Sequence, residues 1–189
     1  INTLKGNVNW MKVHEEEMFD SNYDNMENLK PVIPEGNSDS ASLDNVFELL
    51  SMSGHSAPLT KLMLIPDAWS KKSKILPKNQ LKLFNFLNST MEPWDGPAAL
   101  AGTDNEWVIA ASDRNGLRPL RFTITRDKLL FAGSETGMVD LNEKKIIRKG
   151  RLGPGEIIGV RIEKGKVFTN SQIKDLSLIH ISEPTRPSR

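Results

Sequence analysis

At Met91 the hydrophobic period of this chain changes, and that change limits the folds open to it. Before Met91 apolar residues recur at helical spacing, about 3.6 residues; after it they alternate as in strands, with a period of about two. Glu92-Pro93-Trp94-Asp95-Gly96-Pro97 is the turn-rich bridge between the two regimes. Helices first and strands later, without βαβ alternation, predict an α+β fold.

In the helical half, the spacing predicts a helix from about Val8 to Met18, with Trp10, Val13, His14, Met18 and Phe19 on one face. Ser21 to Pro34 is polar and closes on two prolines, the signature of a connection. Gly36 to Leu50 then reads as a polar turn running into an amphipathic helix with Leu43, Val46, Phe47 and Leu50 on one face, stopping near Gly54. Asp39 sits at its entrance, where serine and aspartate oxygens accept from unpaired first-turn N–H groups. A second helix starts at Ser56-Ala57-Pro58, carries Leu59, Leu62, Met63 and Ile65, and ends at Pro66. Pro77 opens a third, with Leu81, Phe84 and Leu87 as its apolar face.

Strands are predicted at Ala98 to Gly102, Trp107 to Ser112, Leu120 to Thr125 and Leu129 to Ser134. Thr103-Asp104-Asn105 and Arg126-Asp127-Lys128 are compact hairpin connections, so these four are expected to form an antiparallel meander. Shorter strands follow at Lys145 to Arg148, Ile157 to Ile162 and Lys166 to Thr169.

Composition narrows the function classes. A net charge of +1 gives no footprint for nucleic acid. No run approaches the roughly 20 apolar residues of a membrane span, and the first residues lack the apolar segment of a signal peptide. The expectation is therefore a cytoplasmic protein that engages neither membrane nor nucleic acid. With no cysteine, the chain offers no thiolate metal site and no cysteine nucleophile. His14, His55 and His180 lack ligand spacing, so a zinc site is not expected. The carboxylate pairs Asp39 with Asp44 and Glu92 with Asp95 are neighbours in sequence only, a weak basis for an acid/base dyad.

The Asp113-Arg114-Asn115-Gly116-Leu117-Arg118 turn lies between two predicted strands. Asn115-Gly116 supplies a positive φ, and the arginines offer forked pairs to carboxylates. The favoured reading is a structural corner braced by Asp113 with Arg114 or Arg118. The other is a phosphate cradle, which lacks the lysine and helix of a P-loop. Gly150 to Glu156 reads as a second tight, glycine-rich connection.

A series of stretches runs in order through about the first 175 residues: INTLKGNVNWMK (Ile1 to Lys12), SDSASLDNVFELL (Ser38 to Leu50), LMLIPDAW (Leu62 to Trp69), MEPWDGPAAL (Met91 to Leu100), DRNGLRPLRF (Asp113 to Phe122), SETGMV (Ser134 to Val139) and KGRLGPGE (Lys149 to Glu156). Together they resemble the glutamine amidotransferase domain of the glutamate synthase large-subunit family, with MEPWDGPAAL closer to the pyridine-nucleotide-dependent members.

That resemblance implies a class II amidotransferase of the N-terminal-nucleophile type, a four-layer αββα sandwich incomplete at its N-terminus. Members hydrolyse L-glutamine to glutamate and ammonia with an N-terminal cysteine, and an Asn-Gly pair holds the oxyanion. The ammonia passes to a synthase domain for reductive amination of 2-oxoglutarate. FMN, an iron-sulfur cluster, NADPH and a small electron-delivering subunit are implied for the complete enzyme. On this pattern the nucleophile and oxyanion residues lie upstream of Ile1, and the fragment itself is expected to be inactive. Asp39 matches the aspartate that pairs with the α-ammonium of glutamine, with Gly36 and Ser38 as pocket wall. Two alternatives stay open: another class II enzyme, such as an amidophosphoribosyltransferase, and a non-catalytic glutamine-binding module. The last stretch, 176–189, reads like translated sequencing adapter and is expected to lie outside the domain formed by 1–175.

Overall fold

The structure, a computed structural model, describes residues 31–68 and 77–182. The expected Val8 to Met18 helix and most of the Ser21 to Pro34 connection lie outside the described residues.

Among the described residues three helices come first. Helix α1 spans Asp39–Met52, entered through Ser38, whose hydroxyl accepts from the Ala41 N–H at 3.2 Å. It ends at Ser53, and Gly54 takes the left-handed conformation expected of it, with φ of 94°. Helix α2, Ala57–Leu64, has Ser56 as its cap and a proline in its first turn, and every one of its residues is buried. Helix α3, Lys78–Thr90, begins directly after Pro77. Its buried stripe is Leu83, Phe84 and Leu87; Leu81, expected on that face, is only half-buried because the stripe is centred on Phe84.

The strands are β1 (Ala99–Thr103), β2 (Trp107–Ser112), β3 (Leu120–Thr125), β4 (Leu130–Gly133), β5 (Ile146–Leu152), β6 (Ile157–Arg161) and β7 (Lys166–Phe168). A final helix, α4, spans Asn170–Ser182. Both expected hairpins form, β1 with β2 and β3 with β4. Their tight turns place Asn105 and Lys128 at positive φ, 71° and 63°.

The single meander does not form. Strands β1-β2-β6-β7 make one antiparallel sheet and β4-β3-β5 another. The chain leaves the first sheet after β2 at the Asp113 corner. The physical reason is the pleat: Ala110 and Ile158 on one face of the four-stranded sheet pack on Leu120, Phe122 and Leu152 of the three-stranded sheet. Trp107, Ile109, Ala111 and Ile157 face the other way, toward Ala57 of α2 and Ile173 of α4. A sheet buried on both faces needs a cover on each side, and β3 can supply one only by leaving the β2 edge. A further cluster joins α1, α2 and α3 through Val46, Leu62, Phe84 and Trp94. Among the described residues, no helix is long and apolar enough to cross a membrane.

Helix α4 runs through the boundary expected at 175. Ser177 is buried and donates to the Ile173 carbonyl, while Leu176 and Leu178 pack against the hydrophobic clusters.

Candidate functional site

At the entrance of α1, Gly36 adopts a φ of 81°, which turns the chain sharply into the helix. Ser38, not Asp39, provides the cap, so the Asp39 carboxylate is not consumed by first-turn N–H groups. Asp39 is exposed and, among the described residues, forms no ion pair. It is a carboxylate at the positive end of a 14-residue helix, available to a cationic group.

The Asp113 corner is built differently from expectation. Asp113 is buried, and its carboxylate accepts from four backbone N–H groups: Ala98 at 3.2 Å and Asn115, Leu117 and Arg118 at 3.0 Å each. Burial pushes its pKa up, but hydrogen bonds from Arg118, Leu117, Ala98 and Asn115 outweigh it and hold the pKa below the ordinary carboxylate value. The expected guanidinium brace is absent: among the described residues neither Arg114 nor Arg118 makes an ion pair. Backbone N–H groups fill the carboxylate instead, three of them within five residues; Arg118 is exposed and Arg114 half-buried. Asn115 donates from its side chain to Asp95 at 2.9 Å, and Gly116, at φ 65°, would press a Cβ tightly against Pro154. Asp95 thus serves the corner and does not pair with Glu92.

Beneath the corner lies a polar group that the sequence reading missed. Lys61, in the middle of α2, is buried, and its ammonium donates to the Gly155 carbonyl at 2.6 Å. The Gly155 N–H in turn donates to the Asp113 carbonyl at 2.8 Å. Lys174, also buried, pairs with Asp67 at 2.5 Å, and Gly155 approaches Asp67 so closely that a Cβ would meet its carboxylate. Burial lowers the Lys61 pKa to about 8; Asp67 opposes this, Lys174 adds to it, and Asp113 and Glu156 oppose it. One sequence signal was available for Lys61, the only charge in a run of eight otherwise uncharged residues. Its partners are 94 residues away, and those of Lys174 are 107, beyond the reach of local pattern.

A cavity of about 470 Å³ runs beside α1, between Leu43 and Phe47 of that helix, Leu64 of α2 and Leu100 of β1. Asp44, Glu48, Asp104 and Lys61 supply its charged lining. Gly36, Ser38 and Asp39 do not line it, and no hydrogen bond or ion pair among the described residues joins the α1 entrance to the Asp113 corner. Asp104 has a structural task there, accepting from Ala57 at 2.5 Å and Trp107 at 2.7 Å, which ties the start of α2 to the β1–β2 turn. Among the described residues no group of three metal-ligating side chains occurs.

The family model described as "Glutamine amidotransferases class-II" matches residues 1–182. The chain belongs to the class II glutamine amidotransferases. Among the relatives of this amidotransferase chain, the glutamate synthase [NADPH] large chain of Azospirillum brasilense is 54% identical over 176 residues, 93% of this chain and 12% of that protein. The ferredoxin-dependent glutamate synthase 2 of Synechocystis is 42% identical over 92% of this chain and 11% of its own. The glutamate synthase [NADH] of Saccharomyces cerevisiae is 40% identical over 92% of this chain and 8% of its own. The chain thus spans between 8% and 12% of the length of these relatives.

Proposed function

We propose that this chain is the C-terminal portion of the amidotransferase domain of a glutamate synthase large subunit, reaching past the expected boundary at 175 to the end of α4, and that the complete parent is a cytoplasmic enzyme. The observation that carries the reading is the 54% identity over 93% of the chain to a glutamate synthase large chain, within a matching amidotransferase family. In this reading the complete domain hydrolyses L-glutamine. A cysteine outside these 189 residues, which contain none, attacks the side-chain amide, and ammonia passes to a synthase domain.

This chain's own contribution is substrate binding. Asp39 accepts hydrogen bonds from the α-ammonium of glutamine, a charge-assisted contact stronger than a neutral one. Ser38 keeps it free by capping α1, and the Gly36 turn shapes the wall beside it. The fold is the four-layer αββα sandwich; support comes from the helix, sheet and sheet layers packed through Ile173, Ile157, Ile158 and Phe122.

FMN, the iron-sulfur cluster, NADPH and the small subunit that delivers electrons belong to other parts of the complete enzyme. The residues here do not fit the cluster, since the chain has no cysteine to ligate it. The NADPH assignment rests on the Azospirillum relative, because the NADPH enzyme of Bacillus subtilis, at 35%, is less similar than the ferredoxin-dependent Synechocystis enzyme.

The test supplies the complete enzyme with glutamine labelled at its amide nitrogen, 2-oxoglutarate and a reductant. The label should appear at the α-amino group of newly made glutamate. Label released only as glutaminase product, or none transferred, would refute the coupled reading.

A further inference from the structure

We propose that α4 is a releasable strap, held to the domain by the Lys174–Asp67 ion pair and able to lift away because Lys61 stands by to take over Asp67. The attachment of α4 is largely polar. Among the described residues its fully buried side chains are Ile173, Lys174 and Ser177, of which one is apolar. Ser177 donates within its own helix, to the Ile173 carbonyl, and so adds no tie to the body. Leu176 and Leu178 pack only half-buried. The polar ties are the Lys174 ammonium on Asp67, the Gln80 amide on Asp175 at 3.2 Å and the Ile157 N–H on the Asn170 side chain at 3.3 Å. Lys174 also lies over the Phe84 ring of α3, 5.4 Å from its centre.

A buried ion pair ordinarily fixes an element in place, because withdrawing one partner strands the other charge away from water. Here the stranded charge would be Asp67, and a second cation is already beside it. Gly155 lies between the two. Its carbonyl accepts from the Lys61 ammonium at 2.6 Å, and a Cβ on Gly155 would stand 2.6 Å from Asp67 Oδ1. Of the carboxylates around Lys61, Asp67 acts on its charge most strongly.

Both groups have unused hydrogen-bonding capacity among the described residues. Asp67 Oδ1 is buried without a partner, and the Lys61 ammonium has three hydrogens, of which the Gly155 carbonyl takes one. Lys61 can therefore take Asp67 without releasing Gly155. The Gly155 N–H then keeps its bond to the Asp113 carbonyl, and the corner stays intact while α4 leaves. The two lysines are alternative partners of one carboxylate: with α4 in place Lys174 holds Asp67, and with α4 lifted Lys61 holds it and Lys174 is in water. Neither arrangement leaves Asp67 buried and alone, so α4 opens without unfolding the rest of the domain.

The test is hydrogen–deuterium exchange of the complete enzyme at neutral pH, read by mass spectrometry. The amides followed are the helix-bonded ones from Ile173 to Asp175, with the paired amides of β2 and β6 as the internal reference. In the wild type the α4 amides should exchange at least about tenfold faster than the reference. Asp67→Asn removes the anchor and should speed α4 exchange about tenfold further. Lys61→Met removes the alternative partner and should slow it about tenfold against the same reference. A lysine that only supports the fold gives the opposite sign, because its loss loosens the helix. Equal protection of α4 and the two strands in the wild type would overturn the proposal, as would α4 exchange that is unchanged or faster in Lys61→Met. The measurement needs no turnover, so its outcome is independent of glutamine binding at Asp39.

Discussion

Asp113 shows how one carboxylate can fix a loop. Its four N–H partners come from both sides of the corner, so removing it leaves four donors without their acceptor in a partly buried place. Asp113→Ala should destabilise the domain by about 3–5 kcal/mol, with Asp113→Asn intermediate because one amide oxygen remains. The folded-state pKa is lowered, so this stability is fully present above the ordinary value of 3.8 and is lost as pH falls through the folded value. Urea unfolding of variant and wild type, followed by tryptophan fluorescence, should show a large difference at neutral pH that shrinks in acid. An undiminished difference in acid would contradict the assignment. The sequence made Asp113 legible as a corner residue, since Asn115-Gly116 announces a turn. It did not reveal the partners, because backbone donors carry no side-chain signature.

Elements with local punctuation were readable, and those fixed by distant contacts were not. Ser38 and Gly54 bracket α1, Ser56 and Pro58 open α2, and the turns at Asn105 and Lys128 close two hairpins within a few residues. The separation of β3 from β2 depends on which face of each strand finds a cover, information spread over residues 107 to 173. Lys61 belongs to the same category. A lysine at the centre of a fully buried helix is unusual, and only the distant Gly155 carbonyl explains it. Its titration gives an element-scale prediction. Between pH 8 and 10.5 the folded protein releases the Lys61 proton while the unfolded chain keeps it, so stability rises with pH across that window. The groups that set this value are Asp67, Lys174, Asp113 and Glu156. Lys61→Met should remove that rise, by up to about 3 kcal/mol in unfolding free energy. An unchanged slope between pH 8 and 10.5 would contradict the burial of a charged ammonium.

At the scale of the molecule, the change of period at Met91 corresponds to a real architectural division. Among the described residues α1, α2 and α3 form one cluster, and the strands that follow make two sheets packed face to face. The α+β class was therefore readable from pattern alone, and the family from the ordered motifs. At the α1 entrance the serines were expected to cap the helix and Ser38 does so; less legible was that the Asp113 corner is a separate structural unit held by backbone donors. The central claim is that the free carboxylate at the α1 entrance holds the ammonium of glutamine. In the complete enzyme carrying Asp39→Ala, steady-state rates should be compared with glutamine and with ammonia as nitrogen source. Loss of one charge-assisted contact should raise the KM for glutamine about 100-fold and leave ammonia-dependent glutamate formation unchanged. Equal loss of both activities, or an unaltered KM for glutamine, would contradict it.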